Sequence, residues 1–312
     1  MGSVPAMDLR ALALGIAFAL MWSSAFTSAR IIVAEAPPIL ALALRFASSG
    51  AIAIALAFAM GERIRLTAAQ WRAVVVFGIC QNALYLGLNF TAMQWIEASL
   101  ASIIASCLPL MVAAANCVIF SERIRALGVA GLAAGVVGVV LIMGMRLSDG
   151  ADPLGIVLCI AAAGALTVAT LSVRGASGGG NVMMVVGLQM LVGAAALAPL
   201  GAATETWDVT WTPRLAGALA FTILVPGVAA TFIWFKLVDR IGATPAATFH
   251  FLNPVFGVAI AWALLGEGLG PLDLVGVAVV TVGILAVQVS RMRTARPGKV
   301  EAAEQRARRD RR

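Results

Sequence analysis

The sequence predicts an all-α polytopic membrane protein of ten transmembrane helices arranged as two inverted five-helix repeats. Three observations predict it: a composition too apolar for a soluble core, ten apolar runs of spanning length, and an internal repeat whose unit holds an odd number of runs. Of the 312 residues, 61% are hydrophobic and 12% charged, whereas soluble domains carry roughly 45–50% apolar and about 25% charged residues. A span needs roughly 20 apolar helical residues. Such runs recur from end to end, and no stretch is left for a soluble catalytic domain.

Cutting at charged and Gly/Pro-rich breaks gives the spans in order. Each is read as a helix, because a lone span in lipid must satisfy its own backbone hydrogen bonds and the alternation of barrel strands is absent. The first, 11–32, exceeds the ~7–15-residue apolar core of a secretory signal and is followed by further spans, so it is a membrane helix. The second, 38–60, carries Arg45 inside its apolar run, and the third, 73–95, carries a polar stripe. The fourth, 100–120, contains Pro109 and ends at Glu122. In the fifth, 126–145, Gly128, Gly131, Gly135 and Gly138 trace one face that permits close helix approach, either inside the bundle or across a dimer. The sixth, 154–173, leads to a linker at 177–180 that is flexible by composition. The remaining spans are 182–200, 215–238, 241–265 and 272–289, with Pro254 and Glu267 bounding the ninth as Pro109 and Glu122 bound the fourth.

Positive loops stay cytoplasmic. With the amino terminus inside, that side holds Arg10, Arg63, Arg65, Arg72, Arg123, Arg125, Arg174, Lys236, Arg240 and nine more in the tail, against Arg30, Arg146 and Arg214 outside. Both termini are therefore expected in the cytoplasm. The net charge of +7 belongs largely to this basic tail, which argues for a membrane-side role and against nucleic acid as partner.

At an offset of 145 residues, Ile96, Ala98, Pro109, Glu122, Gly131 and Gly138 fall on Ile241, Ala243, Pro254, Glu267, Gly276 and Gly283. Five spans per half make the second half enter the membrane upside down. The charges agree, since Arg123 and Arg125 follow Glu122, whereas Gly268 and Gly270 follow Glu267. The expected units are 10–146, 153–290 and the tail 291–312. Inverted repeats recur in secondary transporters, where one half rocks against the other around a midplane site.

Trp22-Ser23-Ser24 in the first span, Arg45-Phe46 in the second, Ala98 through Pro109 to Glu122-Arg123, and Ile241-Gly242-Ala243 through Pro254 to Gly266-Glu267 form a pattern over about residues 10–290. In it the chain resembles the drug/metabolite transporter superfamily, specifically its EamA-type ten-helix exporters. The run Leu86 to Ala92 looks most like the bacterial branch that exports amino acids, aromatic ones included. The resemblance implies a central cavity lined by helices 1–4 and 6–9, with helices 5 and 10 peripheral. It further implies a multi-pass protein of the bacterial cytoplasmic membrane that exports amino acids or related metabolites by alternating access. The alternatives are a multidrug or other metabolite exporter, and a membrane sensor that binds without transport. Many relatives carry an acid before the proline of helix 9, where this chain has Asn253.

Polar groups in the bilayer are costly and face a cavity or a partner. Gln81, Tyr85 and Asn89 recur every four residues, with Asn82 three before Tyr85. The stripe is either a cavity wall that hydrogen-bonds substrate or an interhelical seam. His250, the only histidine, lies near the midplane and either carries a coupling proton or lines the cavity as a neutral group. Trp22 and Trp234 offer flat apolar faces to substrate or pack inside the bundle. With Ser24 and Asn253 they complete the candidate substrate-binding set. Arg45 either contacts a substrate carboxylate or snorkels outward. Pro109 and Pro254 interrupt their helices as hinges or as fixed bends.

Cys80, Cys107, Cys117 and Cys159 sit in apolar runs at irregular spacing that suits neither metal nor redox chemistry. No G-x-x-x-x-G-K-[ST], H-E-x-x-H or nucleophile-elbow sequence is present, so neither bound ATP nor enzymatic chemistry has sequence support. The expected partners are a small amino-acid-like molecule and the bilayer, with no cofactor or metal and with a monomer favoured.

Overall fold

The computed structural model describes residues 9–121, 125–148, 150–172, 181–241, 246 and 248–295. Glu122, Arg123, Arg174, Gly242, Ala243, the linker 177–180 and the tail beyond 295 lie outside them. The described residues form ten apolar helices that run back and forth. The first half contains α1 (Leu9–Val33), α2 (Pro38–Ala59), α3 (Ala68–Ala92), α4 (Ala98–Ile119) and α5 (Ala126–Ser148). The second contains α6 (Pro153–Ser172), α7 (Val182–Thr204), α8 (Pro213–Val238), α9 (Phe249–Leu265) and α10 (Pro271–Ala295). Nine are long and apolar enough to cross a membrane, and α9 is the shorter tenth. The face holding the start of α1 and the end of α10 is called the terminal face, and the other the distal face.

Two boundaries differ from the sequence expectation for local reasons. α3 begins at Ala68, ahead of 73, because Thr67 and Gln70 form a reciprocal capping box that satisfies two amides of the first turn. The helical chain of α8 continues to Ile241, so the ninth span starts later than 241.

The two halves pack as an inverted pair. α1 lies against α8 and α9, while α6 lies against α3 and α4; α2 pairs with α7, and α5 with α10. Backbone irregularities recur at the same offset of 145 as the sequence repeat. α3 widens into a π segment at Gly78–Tyr85 and α8 at Ile223–Ala229. α4 breaks at Cys107 and α9 at Leu252, each followed by a proline in the next turn. Their far ends close in the left-handed region at Ser121 (φ 52°) and Gly266 (φ 69°), the usual way to satisfy the last carbonyls of a helix.

Lipid is as apolar as leucine, so helices associate by close packing and not by burial from water. The glycine face of α5 does this inside the molecule. A Cβ on Gly131 would fall 2.8 Å from the Gly283 carbonyl, and one on Gly138 would fall 3.1 Å from that of Gly276. These glycines are therefore spent on α10.

The α2/α7 pair is also tied at both ends. Glu62 accepts from the Met183 and Met184 amides that open α7, at 3.3 and 2.8 Å. Glu205 accepts from Ile39 and Leu40 that open α2, at 2.9 Å each. Each carboxylate satisfies amides that have no partner within their own helix.

Candidate functional site

α1, α2, α3 and α8 enclose a small cavity between them. Trp22 and Phe26 come from α1, Arg45 from α2, Tyr85 and Asn89 from α3, and Pro226 from the π segment of α8. Its volume is about 30 Å³, room for one or two waters. The cavity is thus too small for a metabolite in this conformation.

Arg45 is its one charged wall. The residue is 5% exposed, with Nε and Nη1 buried and without a hydrogen-bond partner. The guanidinium lies 5.2 Å from the Phe46 ring centre and 5.9 Å from that of Phe90, contacts that offset only part of the lost hydration. Among the described residues no carboxylate lines the cavity. Tyr85 packs into a cluster with Ala162, Leu166 and Ala169 of α6. Asn89 donates to the Tyr85 carbonyl (2.8 Å) and accepts from the Cys159 thiol (3.3 Å).

The α3 stripe divides. Tyr85 and Asn89 line the cavity, whereas Asn82 donates to the Gln189 carbonyl of α7 (2.8 Å) and sits in an interhelical seam. Gln81 is half-buried and outside the lining set. The π segment causes the split, because its wider turn rotates residues that a regular helix would stack. Ser24 turns back onto its own helix, donating to the Met21 carbonyl (2.7 Å).

Toward the terminal face, Trp22 joins a group of rings. His250 meets Phe18, Trp234 and Trp22 at centre distances of 5.3, 5.4 and 6.4 Å. Phe18 and Trp22 lie about 14 and 20 Å along α1 from Leu9 at 1.5 Å per residue, so this plug sits in the middle of the bundle. The Asn253 amide nitrogen lies 3.0 Å from His250 Nδ1. Asn253 Oδ1 is left buried without a partner. Pro109 and Pro254 stand at the breaks of α4 and α9, and Gly257 just beyond the second break lets Ser102 of α4 approach closely.

Toward the distal face the cavity ends at Met93, whose carbonyl accepts from Arg30 Nη1 at 2.5 Å. Beyond Arg30 lies a vestibule of about 380 Å³ lined by Arg30, Glu35, Glu97, Arg214 and Glu267. Glu267 accepts from the Ala98 and Ser99 amides that open α4, at 2.8 and 2.9 Å. Arg146 of α5 bridges Glu97 (2.5 Å) and Asp273 (3.2 Å). Burial raises the Glu97 carboxyl above its ordinary range; Arg146 opposes this, and Glu267 and Asp273 add to it.

Sequence reasoning did not single out Phe18, Glu62, Glu205, Asp273 or the closing role of Arg30. Glu62 and Glu205 carried a signal, each following a helix of an equivalent pair. Phe18 carried none, being one apolar residue in an apolar run.

Comparison with known proteins agrees with this architecture. The model of the EamA-like transporter family matches residues 9–144 and again 153–288. The chain is 23% identical to the uncharacterized transporter YvbV of Bacillus subtilis, over 86% of this chain and 88% of that one. It is 24% identical to the uncharacterized inner membrane transporter YedA of Escherichia coli, over 89% and 90%. A solved crystal structure shares the fold with a TM-score of 0.66 at 22% identity, covering 91% of this chain and 98% of its own. With two tandem family matches over nearly its whole length, the chain belongs to the EamA-like transporter family, a family of multi-pass membrane transporters and not of enzymes.

Proposed function

We propose that this transporter exports amino acids or closely related carboxylate-bearing metabolites across a bacterial cytoplasmic membrane. The units 10–146 and 153–290 would alternate around the central cavity, with both termini in the cytoplasm, so that the distal face is the outer one. The observation that carries the substrate class is the Arg45 guanidinium, buried against the cavity without a partner. A buried cation without a counter-charge is costly, and a carboxylate entering beside it restores both charge and hydrogen bonds. Trp22, Phe26 and Phe90 supply the apolar and aromatic surface for a side chain, and Tyr85 and Asn89 supply polar contacts. The aromatic plug around His250 on one side and the Arg30–Met93 contact on the other fit the two closures that alternating access requires. His250, hydrogen-bonded to Asn253 and surrounded by Phe18, Trp22 and Trp234, fits a neutral group of the plug.

Counterflow of labelled L-phenylalanine in proteoliposomes tests this reading. The parent should show saturable exchange, and Arg45→Gln should raise its half-saturation at least about tenfold, the cost of removing a desolvated charge partner. Transport of phenethylamine, which lacks the carboxylate, should change less than about twofold by the same arithmetic. Folded yield should not fall, because Arg45→Gln removes an unpaired buried cation. An unchanged half-saturation for phenylalanine in Arg45→Gln rejects the assignment. Saturable flux of phenethylamine alone favours a multidrug exporter, and binding without flux a sensor.

A further inference from the structure

We propose that the distal vestibule is a second, exit-side binding site for the zwitterionic form of the same substrate, with Arg30 and Arg214 receiving the carboxylate. This rests on the amino-acid reading of the central cavity.

The vestibule is the larger chamber and lies directly across Arg30 from the central one. Met93 lines the cavity, Arg30 lines the vestibule, and their hydrogen bond is part of what separates them. A substrate leaving Arg45 toward the distal face would therefore meet the Arg30 guanidinium when that bond opens. The vestibule differs from the cavity in carrying both signs of charge. Three of its groups are already occupied: Glu267 by the Ala98 and Ser99 amides, Glu97 by Arg146, and Glu35 by the Thr212 hydroxyl. Arg214 is exposed on the vestibule wall and makes no ion pair among the described residues.

Position strengthens the case for Arg214. It follows Pro213 in the first turn of α8, where the helix dipole is positive and a cation is unfavourable. Helix stability therefore gives no reason for an arginine there, whereas capture of an anion does. Glu35 and Glu97, each with a second oxygen able to accept, stand across the same chamber and suit an ammonium group. A molecule bearing both charges fits this site better than a simple anion. The central cavity, with no carboxylate in its wall among the described residues, distinguishes the two chambers chemically.

The test compares the two faces. Half-saturation of L-phenylalanine counterflow is measured from the distal face in right-side-out vesicles and from the terminal face in inverted ones. In Arg214→Gln the distal value should rise about three- to fivefold, the worth of one exposed charge contact, while the terminal value stays within about twofold. Arg214→Lys should restore the distal value. From the distal side, 3-phenylpropionate and phenethylamine, each lacking one charge, should compete more weakly than phenylalanine in the parent; in Arg214→Gln the gap to phenethylamine should shrink, while the gap to 3-phenylpropionate, which reports the ammonium, should stay. No phenylalanine flux in the parent overturns this proposal together with the reading it rests on. Flux in the parent with an unchanged distal value in Arg214→Gln, or with equal rises on both faces, overturns the exit site alone.

Discussion

The α5/α10 and α2/α7 seams are regular in backbone, whereas α3, α4, α8 and α9 are not. Along the seams, helices carry no π segment and meet through glycine, α7 holding its one proline, Pro199, near its end, and α2/α7 is tied by a carboxylate at each end. In the cavity wall α3 and α8 widen into π segments, and outside it α4 and α9 break before proline. A regular helix satisfies all its interior amides and gains nothing by bending, so it makes a good strut. A π segment or a proline break leaves carbonyls under-used and lets the helix axis reset at small cost. Irregular backbone is tolerated at membrane depth where it lines a cavity. The difference separates helices that serve as straight struts from helices whose backbone departs from regular pitch.

The sharpest way to break that comparison is to add volume on each side of it. A Cβ on Gly283 would lie 2.7 Å from both the Gly131 carbonyl and the Gly135 amide nitrogen, backbone atoms that cannot swing aside. Gly283→Val should therefore cost upward of about 3 kcal/mol, the severe end of overpacking, and abolish the monodisperse peak in size-exclusion chromatography. A Cβ on Gly164 of α6 meets nothing within 4 Å, so Gly164→Val should elute as the parent does. Equal behaviour of the two variants would mean that the α5/α10 crossing is not the tight strut described.

A milder pair sharpens the contrast. Glu205 ties α2 to α7, and Glu267 ties the loop after α9 to α4. Either change to alanine removes two bonds to amides, worth about 1–2 kcal/mol once exchange with water is counted, and both should lower the melting temperature in detergent. Only Glu267→Ala loosens the distal closure, so only it should change counterflow turnover by more than about twofold. A matching change in Glu205→Ala would place the α2/α7 seam among the moving parts.

Much of this was legible in the sequence. Ten apolar runs gave ten helices, and Pro109/Pro254 with the glycines of α5 and α10 marked the repeat that the backbone then followed residue by residue. Arg45 was visible as an ionisable residue inside a span, and it lies in the cavity wall. The π segments were not legible, because no residue type demands one, and they decided how Asn82, Tyr85 and Asn89 divide. A spacing of four reads as one face only at regular helical pitch. Arg30 read as a loop charge, since its partner is a carbonyl from a residue 63 positions away and no side-chain pattern announces it. Thr67-x-x-Gln70 was legible as a capping box and would have moved the start of α3 to its observed place.

The smallest expected effect concerns the distal cluster and pH. Glu97 is faced by Arg146 from α5, by Asp273 from α10, by Glu267 from the loop after α9 and by Ser99 on its own helix; Arg30, Glu35 and Arg214 share its vestibule. Burial is the largest cause and raises its carboxyl; Arg146 lowers it, and Glu267 and Asp273 raise it further. A carboxyl raised in the fold favours the protonated form there. Its contribution is therefore complete below the ordinary glutamate value, about 4.3, and is lost as pH rises through the raised value in the fold. Between those limits the parent should melt lower at higher pH. The group is half-exposed and water screens it, so the slope should amount to only about 1–3 °C. Glu97→Gln, which cannot ionise, should flatten the slope in a thermal-shift series taken upward from pH 4. A parent that instead gains stability as pH rises through this window would show that Arg146, and not burial, governs Glu97, and that the distal closure is held by an ion pair alone.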